Sequence, residues 1–242
     1  MVQLVREAMF DKTPELYDLF YEGKDYGAEA EKVRDAARRS QPGATTLLDV
    51  ACGTGAHLAY LKDAFRVEGL DLDAGLLDVA RRRLPGVPLH NGDMRTFDLG
   101  RTFDVVTCLF SSIGYVETSE GLHQAVGAMA RHLAPNGVLL IEPWLSPARF
   151  DPRMLGRATV VERPGLKAVR MNASRVENGR SILEFHYLVA RPQSIEHLTE
   201  THALGLFTEE EHRRAFEAAG LTSEYEPEGL TGRGLWIARR FA

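Results

Sequence analysis

One stretch of nine residues, Leu47-Leu48-Asp49-Val50-Ala51-Cys52-Gly53-Thr54-Gly55, constrains this chain more than any other. Leu47 to Val50 are apolar save for one carboxylate and predict a buried parallel strand. The residues that follow are small enough for a tight turn, and Ala56 to Ala64 has helical spacing. Strand, glycine turn and helix together form a crevice at the carboxyl edge of a sheet. Backbone N–H groups approach a ligand closely there, because glycine has no Cβ. Such a crevice suits a phosphate or a nucleoside.

The residues around the glycines narrow the choice. A dinucleotide fingerprint, Gly-x-Gly-x-x-Gly/Ala, would fall on Ala51, Gly53 and Ala56 and so lacks its first glycine. A P-loop is excluded, because no Gly-Lys-Ser/Thr follows the turn. What stands is Asp49-x-Ala51-x-Gly53-x-Gly55, then a second strand, Val67-Glu68-Gly69-Leu70-Asp71, ending in an acid. Asn91-Gly92-Asp93-Met94 closes a third strand, and His132-Leu133-Ala134-Pro135-Asn136-Gly137-Val138 leads into a fifth. These four stretches, in this order, resemble the motifs of the S-adenosylmethionine-dependent methyltransferases of the Rossmann-like class.

The resemblance implies an α/β fold, a mostly parallel seven-stranded sheet with helices on both faces. It implies S-adenosyl-L-methionine as cofactor and S-adenosyl-L-homocysteine as product. Asp71 would hold the ribose hydroxyls, Asp93 the adenine amino group and Met94 the ring. The Gly53–Gly55 backbone would face the methionine portion, Tyr17 and Tyr26 would stand on its carboxylate side, and Asp49, Ala51 and Phe110 would also bind the cofactor. The plain alternative for Asp71 and Asp93 is a strand-end cap.

Composition sets outer bounds. The chain of 242 residues is long enough for one large domain, or one domain with an appended lobe. A net charge of −5 gives no general attraction to nucleic acid or anionic membrane. The sequence has no run of 18 apolar residues, and charges at Arg6, Glu7, Asp11 and Lys12 interrupt any signal-peptide core. A cytoplasmic location is the expectation. Cys52 and Cys108 fall in or beside buried strands and are expected as small reduced thiols.

Taken in order, Thr13-Pro14 opens a helix through Phe20, and a second helix covers Tyr26 to Arg39. Core strands are expected near 46–51, 66–71, 87–91, 103–109 and 137–143, with helices near 56–64, 74–84 and 119–132. After Trp144 the pattern turns to β, over 160–163, 168–176, 181–190 and 195–207, with Asn178-Gly179 as a hairpin turn. Thr208 and Glu211 form a capping box for a helix ending at Gly220, and strands at 221–226 and 234–241 complete the sheet. The chain thus divides into a methyltransferase core with an N-terminal helical lid, 1–145 and 207–242, and an inserted antiparallel lobe, 146–206, that contacts substrate.

A narrower resemblance covers nearly the whole chain. It is carried by Glu15-Leu16-Tyr17-Asp18-Leu19, Gly23-Lys24-Asp25-Tyr26, Phe110-Ser111-Ser112-Ile113-Gly114-Tyr115, Leu183-Glu184-Phe185-His186-Tyr187 and Gly232-Arg233-Gly234-Leu235. These segments resemble the N,N-dimethyltransferases that act on nucleotide-linked amino sugars in antibiotic biosynthesis. That resemblance implies a thymidine-diphosphate (dTDP) amino-deoxysugar as the small-molecule partner and leaves room for a homodimer. Arg233, between two glycines, would meet the pyrophosphate, since a guanidinium offers a forked donor. Trp144 would form a wall, and Arg170 and Arg175 on the inserted sheet would meet nucleotide groups.

Transfer of a sulfonium methyl is an in-line displacement that needs orientation more than acid–base help. Some relatives have histidine where this chain has Tyr115, so an imidazole base at that position is absent. The attacking amine loses its proton to solvent or through Tyr115, the one candidate catalytic residue. No metal is expected. His197 and His202, five apart on a strand, point to opposite faces. The alternatives are methylation of another small amine or hydroxyl, and, more distantly, a cofactor-binding protein without activity.

Overall fold

The computed structural model describes residues 14–153, 156 and 158–240. The expected N-cap Thr13 and the last residue of the expected final strand, Phe241, lie outside them. In chain order the elements are α1 (Pro14–Phe20), α2 (Tyr26–Ser40), β1 (Thr46–Val50), α3 (Leu58–Leu61), β2 (Arg66–Asp71), α4 (Ala74–Arg83), β3 (Leu89–Asn91) and β4 (Phe103–Cys108). A short 3₁₀ helix (Ser112–Val116), α5 (Ser119–Arg131) and β5 (Leu133–Ile141) follow. Next come β6 (Thr159–Arg163), β7 (Leu166–Glu177), β8 (Arg180–Arg191) and β9 (Ser194–Gly205), then α6 (Glu209–Ala218), β10 (Leu221–Glu226) and β11 (Leu235–Arg240).

Seven strands form one sheet in the order β10-β11-β5-β4-β1-β2-β3. β1 pairs in parallel with β2 and β4, β4 with β5 and β2 with β3, while β11 runs antiparallel to both β5 and β10. The order reverses at β1 and β4, and ligands bind in such sheets outside the carboxyl ends at that point.

The near-continuous apolar strands follow from helices on both faces. Leu47, Val105 and Val138 turn to one face and meet Ala30, Val33, Ala37, Leu58 and Leu77. Their neighbours Leu48, Val106 and Leu139 turn to the other and meet Leu122, Val126, Met129 and Phe216. Burying each large aliphatic side chain stabilises the fold by about 1.5–3 kcal/mol. Gly69 in β2 is obligatory for another reason, because a Cβ there would lie 2.7 Å from Cys52 Sγ and 2.9 Å from Leu58 Cδ1. Cys52 and Cys108 are buried free thiols. No described helix is long and apolar enough to cross a membrane.

Two boundaries differ from expectation by three residues or more. The helix after the glycine turn is a single turn, Leu58–Leu61, rather than 56–64. β5 begins at Leu133, four residues early, because Leu133 pairs with Phe103 before the chain kinks at Asn136 (φ 62°) and resumes at Val105 against Val138.

The chain after Trp144 forms a second, four-stranded antiparallel sheet in the order β6-β7-β8-β9. Asn178 and Gly179 both have positive φ, 50° and 75°, as a two-residue hairpin turn between right-twisted strands requires. At the far side of the insert, Thr208 caps α6 with the reciprocal Glu211 bond of a capping box.

Candidate functional site

The site is built where β1, β2 and β4 end. After β1 the chain turns with Ala51 at φ 61°, Gly53 at 55° and Gly55 at 73°. Alanine in that region is strained by about 1–2 kcal/mol, a strain that clusters at binding sites. Gly53 donates its N–H to Asp71 Oδ2 at 2.7 Å, and Asp73 donates its own to Asp71 Oδ1 at 2.8 Å. A Cβ at Gly53 would meet nothing within 4 Å, so this backbone faces an open cleft. At Gly55 a Cβ would lie 2.7 Å from Leu84 Cδ1, so that glycine serves close packing.

The cleft is lined by Tyr17, Tyr26, Asp49, Ala51, Gly53 and Phe110, among others. Asp49 is 2% exposed and accepts a bond from Thr107 Oγ1 at 2.7 Å. Burial pushes Asp49 and Asp71 up to about 6 each, against an ordinary 3.8. Two buried carboxylates beside aromatic walls and open backbone suit a nucleoside whose tail carries positive charge, which is the chemistry of S-adenosylmethionine. Asp71 would hold its ribose hydroxyls and Asp49 would face the cationic end.

The pH response follows with its sign. A carboxylate whose folded pKa is raised gains protons on folding between 3.8 and about 6, so these two groups stabilise the unliganded fold as pH falls through 6. Cofactor binding needs the ionised form and moves the other way. Affinity for S-adenosylhomocysteine is expected to be level above pH 7 and to fall below 6 by about tenfold per unit for each carboxylate that must be ionised. Calorimetric titration between pH 5 and 8 measures this, and a level affinity down to pH 5 would remove the carboxylates from the binding account.

Around Asp93, expected to meet the adenine, the arrangement is tighter than sequence suggested. Asp93 is held bidentate by Arg95, its neighbour but one, with Arg95 Nε 3.0 Å from both carboxylate oxygens. Met94 packs, half-buried, against the core beneath. Leu72, next to Asp71, is 55% exposed.

The N-terminal helices are fastened by residues that the sequence reading passed over. Thr54 Oγ1 donates to Asp18 Oδ1 at 2.8 Å, and Arg83 bonds both the Asp18 carboxylate and the Thr54 carbonyl, tying α1 to the glycine turn. His57 Nε2 lies 2.8 Å from Glu29 Oε2, Glu29 also pairs with Lys24, and the Tyr26 ring meets His57 edge-on at 4.9 Å. The Lys24 ammonium sits 4.6 Å from the Phe110 ring centre, at the mouth of the cleft.

A second strained turn follows β4, with Phe110 at φ 53° and Ser111 at 63°. It is held by the fully buried Glu142, which accepts the Phe110 N–H at 2.7 Å and the Thr231 hydroxyl at 2.5 Å. Arg233 closes this side. Its guanidinium lies 5.4 Å from the Phe110 ring and 5.7 Å from the Trp144 ring, with Nη1 3.5 Å from Ser111 Oγ. Gly232 (φ 82°) and Gly234 (φ 97°) shape its loop, and Arg149 donates to the Gly232 carbonyl at 2.8 Å.

The inserted sheet lays its inner face over this edge. Trp144 Nε1 donates to Ser181 Oγ at 2.8 Å. Arg170 stacks on Phe20, Tyr21 and Phe185 at 4.8–5.1 Å, joining the end of α1 to the antiparallel sheet. Tyr115 reaches from the core to His202 Nδ1 at 2.8 Å. Arg175 does not join them. It lies on the outer face, paired with Glu177 and with Glu184 at 3.5 Å, because five residues along a strand reverse the side that a residue faces.

Comparison with known proteins agrees with this fold. The methyltransferase domain family matches residues 47–137. The chain is 48% identical over 226 residues to the dTDP-3-amino-3,6-dideoxy-alpha-D-glucopyranose N,N-dimethyltransferase of Streptomyces fradiae, covering 92% of this chain and 88% of that one. It is 44% identical to the dTDP-3-amino-3,4,6-trideoxy-alpha-D-glucopyranose N,N-dimethyltransferase of Streptomyces venezuelae, covering 92% and 95%. Among solved structures, S-adenosylmethionine-bound CalS10, an amino pentose methyltransferase of Micromonospora echinaspora involved in calicheamicin biosynthesis, superposes with a TM-score of 0.86 at 44% identity. That match covers 93% of this chain and 97% of the other.

Proposed function

The chain belongs to the dTDP-amino-sugar N,N-dimethyltransferases, and from that premise we propose that this cleft places two methyl groups in succession on the amine of a nucleotide-linked deoxysugar. When bound, S-adenosylmethionine supplies an activated methyl group. The protein's part is to hold the amine in line with it and to exclude water. The observation that carries the reading is Arg233, a guanidinium braced between Phe110 and Trp144 at the cofactor's edge. A cation there has no acid to neutralise it among its described contacts, and a diphosphate fits its fork.

Roles follow for the other residues. Asp71 and Asp93 take the nucleoside end of the cofactor, and Tyr17, Tyr26, Asp49 and the Ala51–Gly55 backbone take its amino-acid end. The α1–α2 lid and the inner face of the inserted sheet close over the sugar, with Trp144 as a wall and Arg170 as the brace between them. Tyr115 stands where an amine would shed its proton.

The nucleotide matters most to binding on this account. An amino sugar without its diphosphate is expected to show kcat/KM lower by about a hundredfold than the linked sugar, the value of one or two charge-assisted bonds. Equal kcat/KM for the two would place the nucleotide outside the site and favour methylation of some other small amine.

A further inference from the structure

Tyr115 and His202 come from segments 87 residues apart, yet they meet at 2.8 Å beneath the insert. Their approach is enforced. A Cβ on Gly114 would lie 3.0 Å from Leu204 Cδ2 and 3.1 Å from Trp144 Cβ, so the turn bearing Tyr115 packs tightly against β9 and Trp144. His202 is 3% exposed, and Phe185 meets its ring edge-on at 5.2 Å. Its second nitrogen, Nε2, faces Glu200 Oε2 at 3.7 Å, and Tyr187 donates to that same oxygen at 2.9 Å. Glu200 and His202 alternate along β9, both on the inner face. The line Tyr115–His202–Glu200–Tyr187 therefore runs from the short helix after β4 into the inserted sheet.

Resting on the function proposed above, we propose that Tyr115 and His202 form a proton relay that neutralises the substrate amine before each of the two methyl transfers. An amine attacks only as the free base, and the monomethyl product of the first transfer is again an ammonium ion. In the relay one N–H bond of the ammonium breaks as its proton passes to the Tyr115 oxygen, while the Tyr115 O–H proton passes to His202 Nδ1. The products are a neutral amine, an intact phenol and an imidazolium. Glu200, 3.7 Å from Nε2, stabilises that imidazolium, and Tyr187 holds the carboxylate in place. The proton returns through Tyr115 to water once product leaves. Tyr115 is never ionised in this sequence, which suits a phenol whose pKa burial drives far upward.

The charged and titratable groups around the pair come from several elements. Glu200 faces it from β9 and Tyr187 from β8. Tyr21 faces it from the end of the lid, with Arg170 of β7 behind Tyr21 and Phe185, and Asp71 acts across the cleft. Glu200 is the carboxylate nearest His202 along this line.

His202 acts through Tyr115, so its test must separate a relay from a structural prop. Rates of the first and second methyl transfer to the nucleotide-linked amino sugar are measured from pH 6.5 to 9.5 for wild type, Tyr115→Phe, His202→Gln and the double variant. At pH 7 each single variant is expected to lose about a hundredfold, the double no more than either, and all to converge on wild type at alkaline pH where the amine is already neutral. Monomethyl product accumulates in the variants at pH 7. In a wild-type complex with S-adenosylhomocysteine, histidine nitrogen NMR is expected to show His202 become doubly protonated when the amino sugar is added.

If circular dichroism shows that the His202 variants do not fold, Glu200→Gln carries the same prediction with about a tenfold loss at pH 7. Losses equal at every pH, additive losses in the double variant, or a His202 signal unmoved by substrate would overturn the relay. Wild type that methylates normally beside pH-independent variants sinks the relay alone. Wild type that methylates no amine sinks the functional reading with it.

Discussion

Asp71→Asn is expected to weaken S-adenosylhomocysteine binding by about a thousandfold while shifting the melting temperature of the free protein by only a few degrees. The binding loss follows from position. Asp71 ends β2, beside the open backbone of Gly53, and its carboxylate is the acceptor that the ribose hydroxyls would use. Two hydrogen bonds to a charged group, at roughly 1.5–3 kcal/mol each, give a loss of about three powers of ten.

The small stability effect comes from two opposed changes. Burial raises Asp71 from 3.8 to about 6, so its ionised form costs the free fold about 3 kcal/mol at neutral pH, which the amide removes. Against that, the amide cannot accept from both Gly53 and Asp73, and one buried N–H loses its partner at a cost of about 1–3 kcal/mol. Binding within threefold of wild type would show that Asp71 is only a strand-end cap.

Arg233→Ala should raise KM for the nucleotide-linked amino sugar about a hundredfold, leave kcat within severalfold and leave cofactor affinity unchanged. A guanidinium braced by two aromatic rings has little freedom to lose on binding, so most of its bond energy appears as affinity. Arg233→Lys restores charge but not the fork and is expected to recover only part of the loss. Substrate titrations with both variants measure this. A fall in kcat at unchanged KM would instead assign Arg233 to shaping the Phe110 turn.

The parts of this site that were legible in the sequence lie on short, continuous pieces of chain. The placement of Asp49, Gly53 and Asp71 at the sheet's carboxyl edge is legible because a strand, a glycine turn and a strand-end acid are local patterns with one structural solution, whereas Gly55 packs against Leu84. The Asn178-Gly179 hairpin and the Thr208–Glu211 capping box are legible for the same reason. What was missed joins distant segments. Asp18 meets Arg83 across 65 positions and Phe110 meets Glu142 across 32, and no periodicity announces such pairs.

Arg175 teaches a different lesson. The alternation that separates His197 from His202 also separates Arg170 from Arg175, so its outward placement was available from spacing alone once the strand was assigned. The glycine turn predicted a longer helix than the single turn of α3, because apolar spacing over nine residues does not show where a helix ends. Tyr115 was visible as a departure from a histidine found in some relatives. Its partner lay hidden, since a buried histidine in a β-strand carries no signal beyond its face.

The central claim, successive methylation of a nucleotide-linked sugar amine, is tested most directly by product mass. The protein is incubated with S-adenosylmethionine and a thymidine-diphosphate 3-amino-deoxysugar, and the sugar is followed by mass spectrometry over time. The account predicts a species with one added methyl group that rises and then gives way to a species with two. An unaltered sugar, in a sample where calorimetry shows the cofactor bound, would contradict it.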